Sequence, residues 1–382
     1  MTRSRNSLAN LRSIACCVAI AIVASCGGSS GAERRAGRRE SFVSISAGER
    51  HLCGVRRNGS ASCFQVESAN MPSPIELEPV VEPLPEVGAA LAIPDAFSDV
   101  AAIAAGRDRS CAIRSDRTIA CASHGAAGPS IAPSGVDDAI AIGMGSMHLA
   151  VVRPDNVVEV YDLRDGQLAF PTRRSAEGHL ELAEEPRDAD LGSRFGCAST
   201  RDGHVYCWGS NWGGECGNGG DGLESQPVAV VPPLASDSPE VAQAFEGCEP
   251  SCEGTIEGVV RVDVRSRTAC ALLDHEGVAC WGESMAGSFL PNGSVPGFVR
   301  RPVMLAGTEE ATDLCVGIAH VCVRTDDAVL CRGEQAFGSS RMTEVASLRG
   351  ATSIACTASE VCGLFDDGSI RCEGGSGRLR LR

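Results

Sequence analysis

One pattern of apolar and polar positions recurs along the chain. An apolar stretch is followed by a glycine or alanine, two or three polar residues, a cysteine, a short run, a turn and a second cysteine. Copies begin near Val43, Val100, Ile140, Ala189, Val260, Ala311 and Ala351. The first reads SISAGERHLCGVRRNGSASCFQ and the fifth VDVRSRTACALLDHEGVACWGE. Self-similarity at a period of tens of residues marks a repeat architecture. Each unit reads as an apolar strand, a hairpin of two more strands, and a later short segment such as 226–230, 301–305 or 343–346. Four strands per unit, seven units and an average step of about 52 residues predict an all-β fold, a seven-bladed β-propeller with cystine-linked hairpins. The small residue before each hairpin suits the crowded inner strands of a radial fold.

The cysteine spacing is the strongest signal. Cys53 and Cys63, Cys111 and Cys121, Cys197 and Cys207, Cys270 and Cys280, and Cys362 and Cys372 are each ten apart, and Cys322 and Cys331 are nine apart. These six pairs are the expected hairpin disulfides. The third unit carries Ala150 and Val160 at the two positions and has lost both cysteines together, as pairing requires. Asn58, Asp202 and Asp367 lie at the midpoints, each before a glycine, which suits a short hairpin loop. Such loops place the two cysteines opposite one another, with an expected Cα separation of about 5.5 Å. Zinc is the rival, and it is disfavoured because each hairpin offers two thiols and no close Cys-x2-Cys knuckle. Five further cysteines, Cys216, Cys248, Cys252, Cys315 and Cys356, lie outside the hairpins. Cys315 and Cys356 precede the hairpins of adjacent units and can bridge two blades. Five is odd, which leaves a thiol without a partner among them.

Twenty cysteines in a chain of 382 residues point to an oxidising compartment. The N-terminus agrees. Arg3, Arg5 and Arg12 precede an apolar run from Ser13 to Val23, too short to span a bilayer and suited to a signal-peptide core. Val23-Ala24-Ser25-Cys26 follows and resembles a bacterial lipobox, in which the cysteine is lipidated. The expected division is a lipoprotein signal peptide over 1–25, a flexible Gly/Ser- and Arg-containing tether over 26–41, and the propeller over 42–382. Cys26 is the expected lipidation site, and the expected location is the bacterial cell envelope, at the outer membrane or cell surface. Removing residues 1–25 takes away three arginines and no acid, so the formal charge moves from −15 to −18. A chain this acidic, with no lysine, is a poor partner for a phosphate backbone, so no nucleic-acid partner is expected.

The segment from Cys207 to Gly219, CWGSNWGGECGNG, resembles the repeat signature of the regulator-of-chromosome-condensation family, and so does Cys280-Trp281-Gly282. The resemblance covers about Phe42 to Gly375 and is weaker outside units four and five, with Phe64 or Tyr161 where tryptophan is expected. It implies a seven-bladed propeller. It does not imply nucleotide exchange, because no loop specific to exchange factors is matched.

Chemistry-bearing motifs are few. His51, His148 and His320 share one slot before the hairpin, which reads as architecture; His124, His179, His204 and His275 are scattered. No phosphate loop and no Gly-x-Ser-x-Gly elbow occurs. No catalytic, cofactor-binding or metal-binding residue is assigned, and no cofactor or enzymatic activity is expected. Two insertions break the symmetry: 66–97 is rich in proline, and 232–258 carries acids and no base. Binding by a rigid scaffold usually resides in such loops. The expected function is a non-enzymatic, surface-anchored scaffold for an unknown protein partner, held at the membrane by its lipid alone. A glycan-binding lectin would need exposed repeated aromatics, for which only Trp208 and Trp281 qualify. A hydrolase assembled between blades would need carboxylates of raised pKa in the central channel.

Overall fold

The computed structural model describes residues 41–66, 97–124, 130–169, 178–235, 252–284, 297–333, 341–374 and 377–381. The expected signal peptide and Cys26 lie outside these residues, as do most of the two insertions and Cys248.

Seven antiparallel sheets follow one another along the chain. Their first strands, Phe42–Ala47, Val100–Ala105, Ala141–Met144, Pro186–Leu191, Val259–Arg265, Asp313–Val316 and Ser353–Cys356, are the inner strands of seven blades. In each blade the next two strands form the hairpin, and five of the blades have a further outer strand among the described residues. The second strand of every blade is buried on both faces, as in His51–Arg56 and Thr268–Leu273, so burial there is continuous rather than alternating.

The six hairpin cystines pair cross-strand neighbours. Cys53 is bonded to Cys63 in blade 1, Cys111 to Cys121 in blade 2 and Cys197 to Cys207 in blade 4. Cys270 is bonded to Cys280 in blade 5, Cys322 to Cys331 in blade 6 and Cys362 to Cys372 in blade 7. In blade 3 Ala150 faces Val160 at the same register. The expected Cα separation needs correction in all six pairs. It is 3.9–4.1 Å, closer than the 5.5 Å spacing expected from the sequence. The reason is register: the pairs occupy the narrow, non-hydrogen-bonded sites of the ladder, where strands approach most closely. The nine-residue spacing of Cys322 and Cys331 reaches the same site as the ten-residue spacing of Cys111 and Cys121, because the shorter turn removes one residue without shifting the pair. Among the ten-residue hairpins, Gly59, Gly203 and Gly368 supply a left-handed turn residue. Arg117 takes that conformation in blade 2, at φ +65°.

Each pair of neighbouring blades encloses its own apolar core. Between blades 4 and 5 it contains Phe195, Ile256, Val262 and Trp281, and between blades 5 and 6 Leu272, Val299, Leu314 and Val321. The ring closes by the same packing, with Phe42, Leu52 and Val66 of blade 1 against Leu364 and Ile370 of blade 7. A backbone bond from Ala358 N–H to the Glu49 carbonyl (3.1 Å) stitches the seam. Among the described residues, the strands of blade 7 all come from Ser353–Leu381, and none is exchanged with the N-terminal blade.

In blades 1 to 4 the turns leaving the inner strands come so close to the next blade that a side chain is excluded. A Cβ on Gly48 would lie 1.8 Å from the Gly106 carbonyl oxygen, and one on Gly106 would lie 2.2 Å from that of Gly145. This is the physical content of the glycine that follows the inner strand in blades 1 to 4, whereas blades 5 and 7 carry Ser266 and Thr357 there.

Candidate functional site

The inner strands present an unpaired edge to the central axis, and an unpaired N–H or C=O away from water is costly. One register position organises the response. The residues facing the first hairpin position are Ser46, Ala104, Gly143, Asp190, Asp263, Cys315 and Ala355. Where this residue carries a polar side chain, it reaches the next blade one residue further on. Ser46 Oγ accepts the Ala105 N–H (3.1 Å), Asp190 Oδ2 that of Val264 (2.8 Å) and Asp263 Oδ1 that of Val316 (3.2 Å). Between blades 6 and 7 the same link is covalent, the Cys315–Cys356 disulfide.

These residues line a cavity of about 230 Å³ on the axis. One arc is apolar, with Ile45, Ile103, Ile142 and Ile354; the other carries Asp188, Asp190, Arg261, Asp263 and Arg265. Arg261 Nη1 donates to Asp313 Oδ1 at 2.6 Å, and Asp313 Oδ2 accepts the Ile354 N–H at 3.1 Å. Arg265 crosses the channel. Its Nη2 donates to the carbonyls of Ala47 (2.8 Å) and Cys356 (3.3 Å), so one guanidinium ties blade 5 to blades 1 and 7. Burial, followed by the neighbouring Asp263 charge, pushes Asp190 up to about 7. Burial likewise raises Asp188 and Asp263, the latter against the pull of Arg261. Burial works against the Arg261 charge, but the surrounding carboxylates outweigh it and its pKa is raised. The channel thus brings together the raised carboxylates that a hydrolase would need, and engages them as clamps on the adjacent backbone.

A second polar cluster joins blades 1 and 2. His51 Nε2 and His124 Nε2 lie 2.7 and 2.8 Å from Ser110 Oγ, and Cys53 Sγ lies 3.1 Å from it. The hydroxyl has one proton, so it donates to one imidazole and accepts from the other. Burial holds the His51 pKa down to about 3, with the His124 charge adding to the effect, and burial also lowers His124. The pairing of serine and histidine suggests a nucleophile, but Ser110 is fully buried and its hydroxyl is shared between the two imidazoles. His148 and His320 share the slot of His51 and are also lowered by burial. The sequence grouped these three and left His124 among the scattered histidines; only blade packing brings it to His51.

The third feature is the glycine-rich loop of blade 4. Glu215 is buried and holds it: its carboxylate accepts from Gly213 N–H (2.7 Å) and Arg267 Nε (2.7 Å), while its carbonyl accepts from Trp281 Nε1 (2.9 Å). Asn211 Oδ1 accepts the Cys216 N–H at 2.8 Å. Gly214, at φ +76°, packs where a Cβ would lie 2.4 Å from Arg300 Cα. Trp208 and Trp281 are fully buried between blades, so the two aromatics named for a lectin face cannot stack on a glycan. The repeat uses tryptophan to fill the interblade core, and its exposure could not be read from its position. Trp212, by contrast, is 70% exposed, beside Phe298 at 40%. Arg267 lies 4.4 Å beneath the Phe298 ring. Cys216 is the free thiol among the described residues, and burial raises its pKa well above the usual thiol value. Cys252 is disulfide-bonded.

The Regulator of chromosome condensation (RCC1) repeat profile matches residues 187–218, from the inner strand of blade 4 into this loop. No curated protein matches the chain by sequence. Among solved structures, Prp20p from Saccharomyces cerevisiae is 13% identical with a TM-score of 0.58, covering 89% of this chain and 83% of that one. Yeast RCC1 (Prp20) bound to Kap60 gives 12% identity and a TM-score of 0.58, with 83% and 78% covered. The ectodomain of the Arabidopsis thaliana receptor kinase ACR4 gives 16% and 0.50, with 88% and 96% covered. The chain is accordingly a seven-bladed β-propeller, similar in fold to these proteins, with a match to the RCC1 repeat in blade 4.

Proposed function

We propose that the protein is a non-enzymatic binding scaffold, anchored to the bacterial envelope by a lipid on Cys26 and engaging a protein partner. The observation that carries the binding role is the blade 4 loop. A large aromatic, Trp212, is 70% exposed on a loop whose own polar groups are satisfied internally. A rigidly presented tryptophan is the kind of side chain that dominates protein interfaces. The yeast propellers of similar fold were solved bound to Kap60 or described with binding to Gsp1p and histones, which supports a protein ligand for the architecture. The insertions 66–97 and 232–258 are the other proposed determinants, since nearly identical units cannot by themselves mark one partner site.

The test is capture from envelope extract with soluble protein lacking residues 1–26. Trp212→Ala and separate shortening of each insertion should weaken recovery of the same partner. Equal recovery by all three variants would place binding elsewhere. Cys26→Ala should release the full chain from membranes; unchanged retention with normal processing would remove the anchor. A hydrolase is the second reading, favoured by the raised carboxylates of the channel. It requires Asp190→Asn to abolish a hydrolytic activity, whereas the scaffold reading requires Asp190→Asn to bind its partner normally.

A further inference from the structure

Zinc is disfavoured in the sequence because each hairpin offers only two sulfurs. Tertiary structure changes that count at one hairpin. One ligand atom each from His51, Cys53 and His124 can be chosen so that all lie within 4.8 Å of one another, and all three residues are buried. The two Nε2 atoms and the Cys53 sulfur converge on a single point, the Ser110 hydroxyl, at 2.7, 2.8 and 3.1 Å; Cys63 Sγ lies 3.7 Å from it. The ring of His51 is also hydrogen-bonded to the backbone of Arg107, the kind of outer contact that orients a metal-binding imidazole. His124 Nδ1 is buried without a hydrogen-bond partner, so the Ser110 contact at Nε2 uses only one of the two ring nitrogens. Among the described residues the other such group, Cys315, Cys322 and Cys356, contains no histidine.

We propose that in its dithiol state the first hairpin forms a buried Zn²⁺ site with the thiolates of Cys53 and Cys63 and the imidazoles of His51 and His124. Two thiolates and two imidazoles are a closed tetrahedral zinc set. The state is reached by exchange with an external dithiol. The Cys53–Cys63 bond breaks, two electrons come from the dithiol as it closes its own disulfide, and two protons pass to the freed sulfurs. Both protons leave when the thiolates bind the ion. The consequence is architectural. The cystine closes a hairpin within blade 1, whereas the metal, held also by His124, ties blade 1 to blade 2. The site therefore fastens a ring interface in the state in which that cystine is open.

Global reduction would expose many thiols, so the first test avoids it. Cys63→Ser frees Cys53 beside both histidines and leaves the other cystines oxidised. Titrated with Co²⁺, it should bind one ion per chain with thiolate-to-metal charge-transfer absorption, and Zn²⁺ should displace it. Adding His124→Ala should weaken binding by at least about tenfold. Cys372→Ser, which frees Cys362 where no histidine pair stands, should show no such absorption. Absence of binding by folded Cys63→Ser, or equal binding by Cys372→Ser, overturns the proposal. If Cys63→Ser does not fold, wild-type and His124→Ala proteins are opened with a phosphine under conditions that retain their β circular dichroism. Zn²⁺ uptake should then be lower in His124→Ala by about one ion per chain, and equal uptake overturns the proposal.

Discussion

Replacing Asp190 by asparagine should stabilise the protein at neutral pH, because the carboxylate sits where its charge is disfavoured. Its pKa is raised from the ordinary 3.8 to about 7 by burial and by Asp263. An acid whose pKa is higher folded than unfolded keeps its proton longer in the native state. Its contribution to stability is therefore complete below about pH 4 and is lost as pH rises towards 7. A rise of about three units corresponds to about 4 kcal/mol at most, at 1.36 kcal/mol per unit. Asparagine keeps an oxygen to accept the Val264 N–H, the 2.8 Å clamp between blades 4 and 5. It removes the charge that Asp263 repels and that Arg265 attracts. Urea unfolding with disulfides intact should give equal stability for variant and wild type near pH 4, and a variant more stable by about 2–4 kcal/mol near pH 8. Alanine, which leaves the Val264 N–H without its acceptor, should lose about 1–3 kcal/mol of that gain. If asparagine is less stable than aspartate at the higher pH, the Asp190 charge is a net stabiliser and the burial argument fails.

Three further outcomes follow from the geometry. The Cys315–Cys356 bridge spans 41 residues and the Cys362–Cys372 bridge ten, so the chain-entropy relation gives about 4 and about 2.7 kcal/mol; double alanine variants compared by urea unfolding should rank in that order, and the reverse order would refute it. Gly106→Ala should cost about 2 kcal/mol or more, since its Cβ would meet the Gly145 carbonyl at 2.2 Å, whereas Gly135→Ala, open in space but at φ +77°, should cost about 1. Trp281→Ala should cost about 3–5 kcal/mol as a fully buried ring, while Trp212→Ala should change the unfolding midpoint little; comparable losses would mean that Trp212 is a packing residue.

The fold was legible in the sequence because its signals are local. A cystine hairpin needs two cysteines at a spacing set by a short turn, and a blade needs one apolar strand before it. Those features repeat every few tens of residues, and the joint absence of cysteine at Ala150 and Val160 is itself readable. The Cys-Trp-Gly motif at Trp208, inside the segment that matches the RCC1 repeat, was readable in the same way. The burial of Trp208, however, depends on the neighbouring blade, and so does the exposure of Trp212 four residues later.

What the tertiary structure alone decided are the relations between blades. Asp190, Asp263 and Cys315 have no common sequence signature, yet one register position places them opposite Cys197, Cys270 and Cys322. Each then reaches the next blade, two through hydrogen bonds and one through a disulfide. Arg265 meets Ala47 across 218 positions of chain, and His51 shares the Ser110 hydroxyl with His124. The sequence determines each strand and hairpin through near-neighbour spacing. The ring decides which charges are buried and which histidines meet, because closing seven blades around one axis sets distances that no local spacing contains.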